Sequence, residues 1–201
     1  MRSAPPACRL ALVALFVLVA GLAAALPADP GRAQAQPDAA AKARRLDELF
    51  SRLKSIQDEG EGDALVAEIW GEWGRSGTPE LDDKMQQAST AMSQGILLLA
   101  LPAFTYLVQA APNWAEAWNK RATALYLAGQ LELSLADIDR VLALEPRHFG
   151  ALAGMGLIYA DKGQYREALA AYRRALAVNP FLKERLQLIP ALERMVGEKP
   201  I

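Results

Sequence analysis

Two consecutive stretches decide the fold. Ala115–His148 reads AEAWNKRATALYLAGQLELSLADIDRVLALEPRH, and Phe149–Leu182 reads FGALAGMGLIYADKGQYREALAAYRRALAVNPFL, the same pattern 34 residues on. Gly129 falls on Gly163, Gln130 on Gln164, Leu135 on Leu169, Leu142 on Leu176 and Pro146 on Pro180, while Ala122 falls on Gly156. A fixed period of this length marks stacked helix pairs, each burying its apolar face against its neighbours. The expected fold class is all-α, an α–α superhelical solenoid of helix–turn–helix repeats closed by a C-terminal capping helix. The helices are predicted at about 114–128, 131–144, 148–162 and 165–178.

Working backward, Gly95 and Pro112 each stand 34 residues before Gly129 and Pro146. A third, degenerate copy is therefore read over 81–114. Thr78-Pro79-Glu80 is its start signal, with a capping residue followed by Pro at the first helical position. Its second helix, Ile96–Ala111, is nearly all apolar, with Pro102 expected to kink it or delay its start. Before that, 42–77 reads as a degenerate N-terminal helical pair. Leu46, Leu49, Phe50, Leu53 and Ile56 mark one helical face. The acidic stretch at 58–63 reads as a turn, Asp63 as the cap of the next helix, and that helix carries Trp70 and Trp73. Four stacked pairs are expected. After the repeats, Phe181–Val196 reads as a final helix with a kink or a break after Ile189, because Pro190 removes a donor. Lys183, Glu184, Arg185, Glu193 and Arg194 give 183–197 the polar character that a cap needs.

From Leu10 to Leu26 no charged residue occurs; Arg2 and Arg9 precede the run and Ala33-Gln34-Ala35 follows it. That order matches a secretory signal peptide over 1–35, with 36–41 as a flexible leader. Order is expected from about Ala40. The destination is then the periplasm or the exterior; the alternative is an inner-membrane anchor through uncleaved residues 10–26. Cys8, the only cysteine, leaves with the signal, so no disulfide or thiol chemistry is expected. Removing Arg2, Arg9, Arg32 and Asp29 leaves 19 basic against 22 acidic residues, net −3. A mildly acidic protein is poorly suited to nucleic acid or to an anionic membrane surface.

In residue detail the repeats resemble the tetratricopeptide repeat (TPR) family. The residues are Leu152, Gly156, Tyr159, Gly163, Tyr165, Ala168, Tyr172, Ala175 and Pro180 in the second copy. In the first they are Trp118, Ala122, Leu125, Gly129, Leu131, Ser134, Ile138, Val141 and Pro146. The small residues let antiparallel helices approach, and the large ones fill the space between pairs. The resemblance implies a concave groove lined by the first helix of each pair. By repeat position its residues are Met85, Ser89 and Met92; Asn119, Thr123 and Tyr126; and Ala153, Leu157 and Asp161. Such a surface suits an extended peptide or a partner helix, unless the chain's own N-terminal pair or last helix fills it. Some family members grip a C-terminal carboxylate with Lys, Arg and Asn at these positions. Here only Asn119 fits, which argues against that clamp.

Other features carry less. Trp70, Trp73, Trp114 and Trp118 read as core packing in preference to an exposed aromatic patch. His148, the only histidine, reads as an exposed turn residue. One His and no mature Cys supply no zinc set and no nucleophile–base pair. The 58–63 stretch fails as a calcium loop, with Gly60 and Gly62 at ligand positions and Ile69 where a bidentate Glu is required. Gly154-x-Gly156 lies inside a helix and follows no strand, so it is no nucleotide loop. Arg140, Arg147, Arg166, Arg173 and Arg174 read as a solvated face balanced by Asp137 and Glu167, with an acidic partner as the alternative. The expected function is a non-enzymatic interaction scaffold or adaptor in a bacterial envelope, with no cofactor and a protein or peptide partner. The alternatives are a self-associating assembly unit and an accessory subunit of an envelope enzyme.

Overall fold

A computed structural model of the chain describes residues 30–197, with side chains from Ala39. The expected signal run at 10–26 lies outside the described residues. Nine α-helices follow in order among those described: α1 (Pro30–Ser55), α2 (Glu59–Gly74), α3 (Pro79–Ser93), α4 (Leu97–Ala110), α5 (Ala115–Leu127), α6 (Leu131–Leu144), α7 (Phe149–Asp161), α8 (Tyr165–Val178) and α9 (Leu188–Val196). A 3₁₀ turn, Lys183–Arg185, precedes α9.

Helices α3/α4, α5/α6 and α7/α8 pair, and the pairs stack in sequence. The period is written in the backbone. Gly95, Gly129 and Gly163 end α3, α5 and α7 with φ of 75°, 74° and 72°, a region that costs glycine little. Inside the last pair Gly156 faces the Tyr172 ring so closely that a Cβ would lie 2.7 Å from it. In the pair before, Ser134 Oγ donates to the Ala122 carbonyl at 2.7 Å.

The N-terminal pair departs from the expected four-unit stack. The core it shares is built with Phe149, Leu152, Leu169, Tyr172, Phe181, Leu182, Ile189 and Leu192, and contains nothing from α3 or α4. Helices α1 and α2 therefore form a hairpin laid across the N-terminal ends of α5, α7 and the segment after Pro180. The reason is steric fit. Gly150 leaves the space that the Trp70 ring fills, and Gly62 leaves the space for the Phe181 ring, 2.5 Å from where a Cβ would stand. Ion pairs fix the register: Arg147 Nη1 to Asp47 at 2.6 Å, Lys183 Nζ to Asp63 at 2.8 Å and Arg185 Nη2 to Glu59 at 3.1 Å.

Other boundaries move for identifiable reasons. Helix α1 begins at Pro30, where a loose leader to Ala41 was expected, and the Ala-rich sequence there favours helix. Asp58, not Asp63, caps α2, accepting from the Glu61 amide at 2.8 Å, so the acidic stretch is a helical first turn. Pro190 stands third in α9, in the first turn where no intrahelical donor is needed. The helix thus starts just before the proline instead of breaking there. Pro102 lies within α4, and the helix continues past it.

Candidate partner-binding groove

Helices α5 and α7 present their facing surfaces side by side, and the α1–α2 hairpin closes one end of the strip between them. At that end the two residues that cap α5 and α7, Trp114 and His148, both hold Trp73. Trp114 Nε1 donates to the Trp73 carbonyl at 2.7 Å, and the His148 ring stacks on the Trp73 indole, 4.0 Å between centroids and 10° from parallel. His148 is fully buried, not the exposed turn residue expected. Its Nδ1 accepts from the Ala151 amide at 3.1 Å, capping α7, so Nε2 carries the hydrogen and donates to Glu116 at 3.0 Å. Glu116 is itself buried and also accepts from Asn119 Nδ2 at 2.9 Å, with Lys120 Nζ at 3.3 Å. A buried carboxylate is tolerated when donors surround it in this way.

The other end is open. Asn119, Thr123, Tyr126, Gly154 and Leu157 line a cavity of about 80 Å³. That is far below the roughly 300–1,000 Å³ of small-molecule sites and suits a single side chain. Thr123 Oγ1 donates to the Asn119 carbonyl at 3.0 Å. Leu157 is 38% exposed at the rim. Tyr126 reaches across from α5 to α7, its hydroxyl donating to Asp161 Oδ2 at 2.6 Å. That hydrogen bond, then desolvation, holds the phenol above its ordinary range.

The groove residues expected from the sequence thus divide. Thr123, Tyr126, Leu157 and Asp161 come together at the open end. Asn119 borders the cavity but is buried, with its amide committed to Glu116. Met85 is not on the groove: it packs with Phe104, Leu107 and Ala117 in the core between α3, α4 and α5. Ser89 and Met92 are half-buried on α3, away from the cavity, and Ala153 packs against the hairpin core. The Trp73–His148–Glu116 cluster was missed. Its signal lay in the repeat itself, since His148 falls on Trp114 and Gly150 on Glu116 at the same 34-residue offset.

The tryptophans are packing residues: Trp73 and Trp114 are buried, Trp70 and Trp118 half-buried. The arginines divide as well. Arg147 chelates Glu145 while reaching Asp47 and lies 4.5 Å from the Phe50 ring centre. Arg173 holds the buried Glu193 at 3.0 Å, and Arg140 sits over Trp118. Asp137 is no solvated counterweight but a buried acceptor for Arg121 Nε and Nη2, at 2.7 and 2.6 Å. Arg166 and Arg174 remain exposed.

A family model for the tetratricopeptide repeat matches residues 150–182. A TPR repeat-containing protein of Rhizobium etli is 35% identical over 157 residues, spanning 78% of this chain and 77% of that protein. Among solved structures, the Sgt2 TPR domain from Aspergillus fumigatus superposes with a TM-score of 0.55 at 22% identity, over 60% of this chain and 81% of that one. The first TPR of Spaghetti (RPAP3), bound to an HSP90 peptide, superposes with a TM-score of 0.53 at 18% identity, over 56% and 90%. At these identities the structural likenesses speak for the fold. The three stacked pairs, the repeat match and the Rhizobium relative together show that this chain belongs to the tetratricopeptide repeat family.

Proposed function

We propose that the protein is a non-enzymatic interaction module that captures an extended peptide segment of a partner protein at the open end of the α5/α7 groove. The observation that carries this reading is the cavity rimmed by Thr123, Tyr126 and Leu157, left clear beside a hairpin that fills the other end. The hairpin shortens the available strip, so recognition covers a few residues of peptide. One apolar side chain enters beside Leu157, and a donor group meets Asp161. The solved neighbour bound to an HSP90 peptide supports a peptide as the class of ligand. The chemistry here differs from a carboxylate clamp, because the exposed charge at the open end is Asp161.

The one histidine and the buried Glu116 serve capping and packing, so neither is placed for acid–base work. We place the protein in a bacterial envelope, exported by residues 1–35; retention through residues 10–26 would instead tether it to the inner membrane. Fractionation with N-terminal sequencing separates these, a start at Gln36 supporting export with cleavage and a start at Met1 opposing it. For binding, peptides selected on the intact protein are expected to share one apolar position and to lose at least tenfold affinity for Leu157→Arg. No enrichment, or affinity unchanged by that substitution, overturns the reading.

A further inference from the structure

The outer face of α4 carries a second surface, distinct from the groove. Leu98 is 85% exposed, Leu99 62%, Tyr106 50% and Ile96 42%. The repeat supplies an internal comparison. Position 98 corresponds to Glu132 in α6 and Arg166 in α8; position 106 corresponds to Arg140 and Arg174; position 102 corresponds to Ala136 and Ala170. All of these positions are exposed in all three helices. At positions 98 and 106 α6 and α8 carry charge, while at the same places α4 carries Leu98 and Tyr106 around Pro102; Leu99 has an exposed apolar counterpart in Leu133 of α6, but Glu167 in α8. Exposure here therefore belongs to the outward side of every second helix and is not a by-product of α4 lying in the first stacked pair. A run of large apolar side chains on such a side marks a contact surface.

We infer that this face pairs with the same face of a second copy of the chain. From Met85 to Ala115 no charged residue occurs. Two-fold pairing brings each residue of a patch close to its own copy, so a charged patch meets like charge and an uncharged one does not. The nearest cation is Lys84, whose Nζ lies 4.9 Å from the Tyr106 ring centre at the border of the face. A strongly acidic or basic partner would find no countercharge on α4. A membrane surface would call for several Lys and Arg flanking the apolar stripe, where α4 itself carries none and Lys84 of α3 stands at its border. Leu98 and Leu99 supply apolar area, and Pro102 lies at the centre where two helices would cross.

Light scattering coupled to size exclusion tests this on the full chain across a concentration series. The expected mass approaches twice that of one chain as concentration rises. Leu98→Glu with Tyr106→Arg, which installs the residues of α6, returns it to one chain with an unchanged melting midpoint because both sites face outward. In a Cys8→Ser background, Pro102→Cys is expected to form an inter-chain disulfide, and Ala170→Cys, its counterpart on α8, is not. A single-chain mass at every concentration overturns the inference, and is also the result if residues 10–26 of the same chain cover α4. A doubled mass that survives the double substitution overturns it too, since the contact would then lie elsewhere. Peptide binding by Leu157 is read independently of either outcome.

Discussion

Trp73 of α2 and His148 at the start of α7 lie ring on ring, 4.0 Å apart between centroids. This pair turns a linear repeat array into one with a closed end. The same imidazole caps α7 through Nδ1 and donates to buried Glu116 through Nε2, so hairpin, cap and groove floor share one residue.

His148→Ala removes the cap, worth about 1 kcal/mol, and takes a donor from a buried carboxylate, worth about 1–3 kcal/mol. A loss of about 3 kcal/mol is expected from these two contributions together. His148→Asn keeps a capping acceptor and should lose less. Urea unfolding followed by tryptophan fluorescence measures both, with the midpoint falling and the slope constant. Equal midpoints for wild type and His148→Ala would contradict the arrangement.

Two glycines of α7 are expected to respond with opposite sign. A Cβ at Gly156 would lie 2.7 Å from the Tyr172 ring, so Gly156→Leu should cost at least the roughly 1–3 kcal/mol of an overpacked core. A Cβ at Gly154 would meet Ile138 Cδ1 at 3.6 Å, an ordinary contact, so Gly154→Ala should gain up to about 1 kcal/mol from helix propensity. Thermal melts of both variants check this, and a shift of the same sign in both would be inconsistent with the packing.

The Tyr126–Asp161 hydrogen bond predicts an alkaline signature. The phenol's folded pKa is raised above its unfolded value near 10, mainly because deprotonation would lose the hydrogen bond donated to Asp161, then because of desolvation, and least because two anions would stand together. The contribution to stability is therefore fully present below pH about 10 and is lost as pH rises through the folded value. Absorbance titration of tyrosinate should show two residues delayed in the wild type, Tyr126 and the buried Tyr172, and only Tyr172 fully delayed in Asp161→Asn. An identical titration in both proteins would rule the bond out.

The repeat was legible because its signals are local. Glycine at a helix end, proline after a helix and small residues at a crossing each follow from the backbone they must adopt, and Gly95, Gly129 and Gly163 recur on that schedule. The hairpin's seat was not legible, because it depends on matches between distant segments. Trp70 fits against Gly150, and Phe181 against Gly62, through shape that no periodicity records. The same seat buried His148, whose place after Pro146-Arg147 reads as a solvent-facing turn. At the groove, repeat position identified Thr123, Tyr126, Leu157 and Asp161 on one strip. It misplaced Met85, which the tight α3/α4/α5 core takes inward.

The claim that the open end of the α5/α7 groove takes a peptide is tested most directly by backbone amide NMR of the intact protein titrated with a selected peptide. Shifts are predicted to concentrate at Thr123, Tyr126, Gly154, Leu157 and Asp161, with His148 and the α1–α2 hairpin unmoved. Shifts centred on the outer face of α4 or on α8, with the Leu157 region silent, would contradict it.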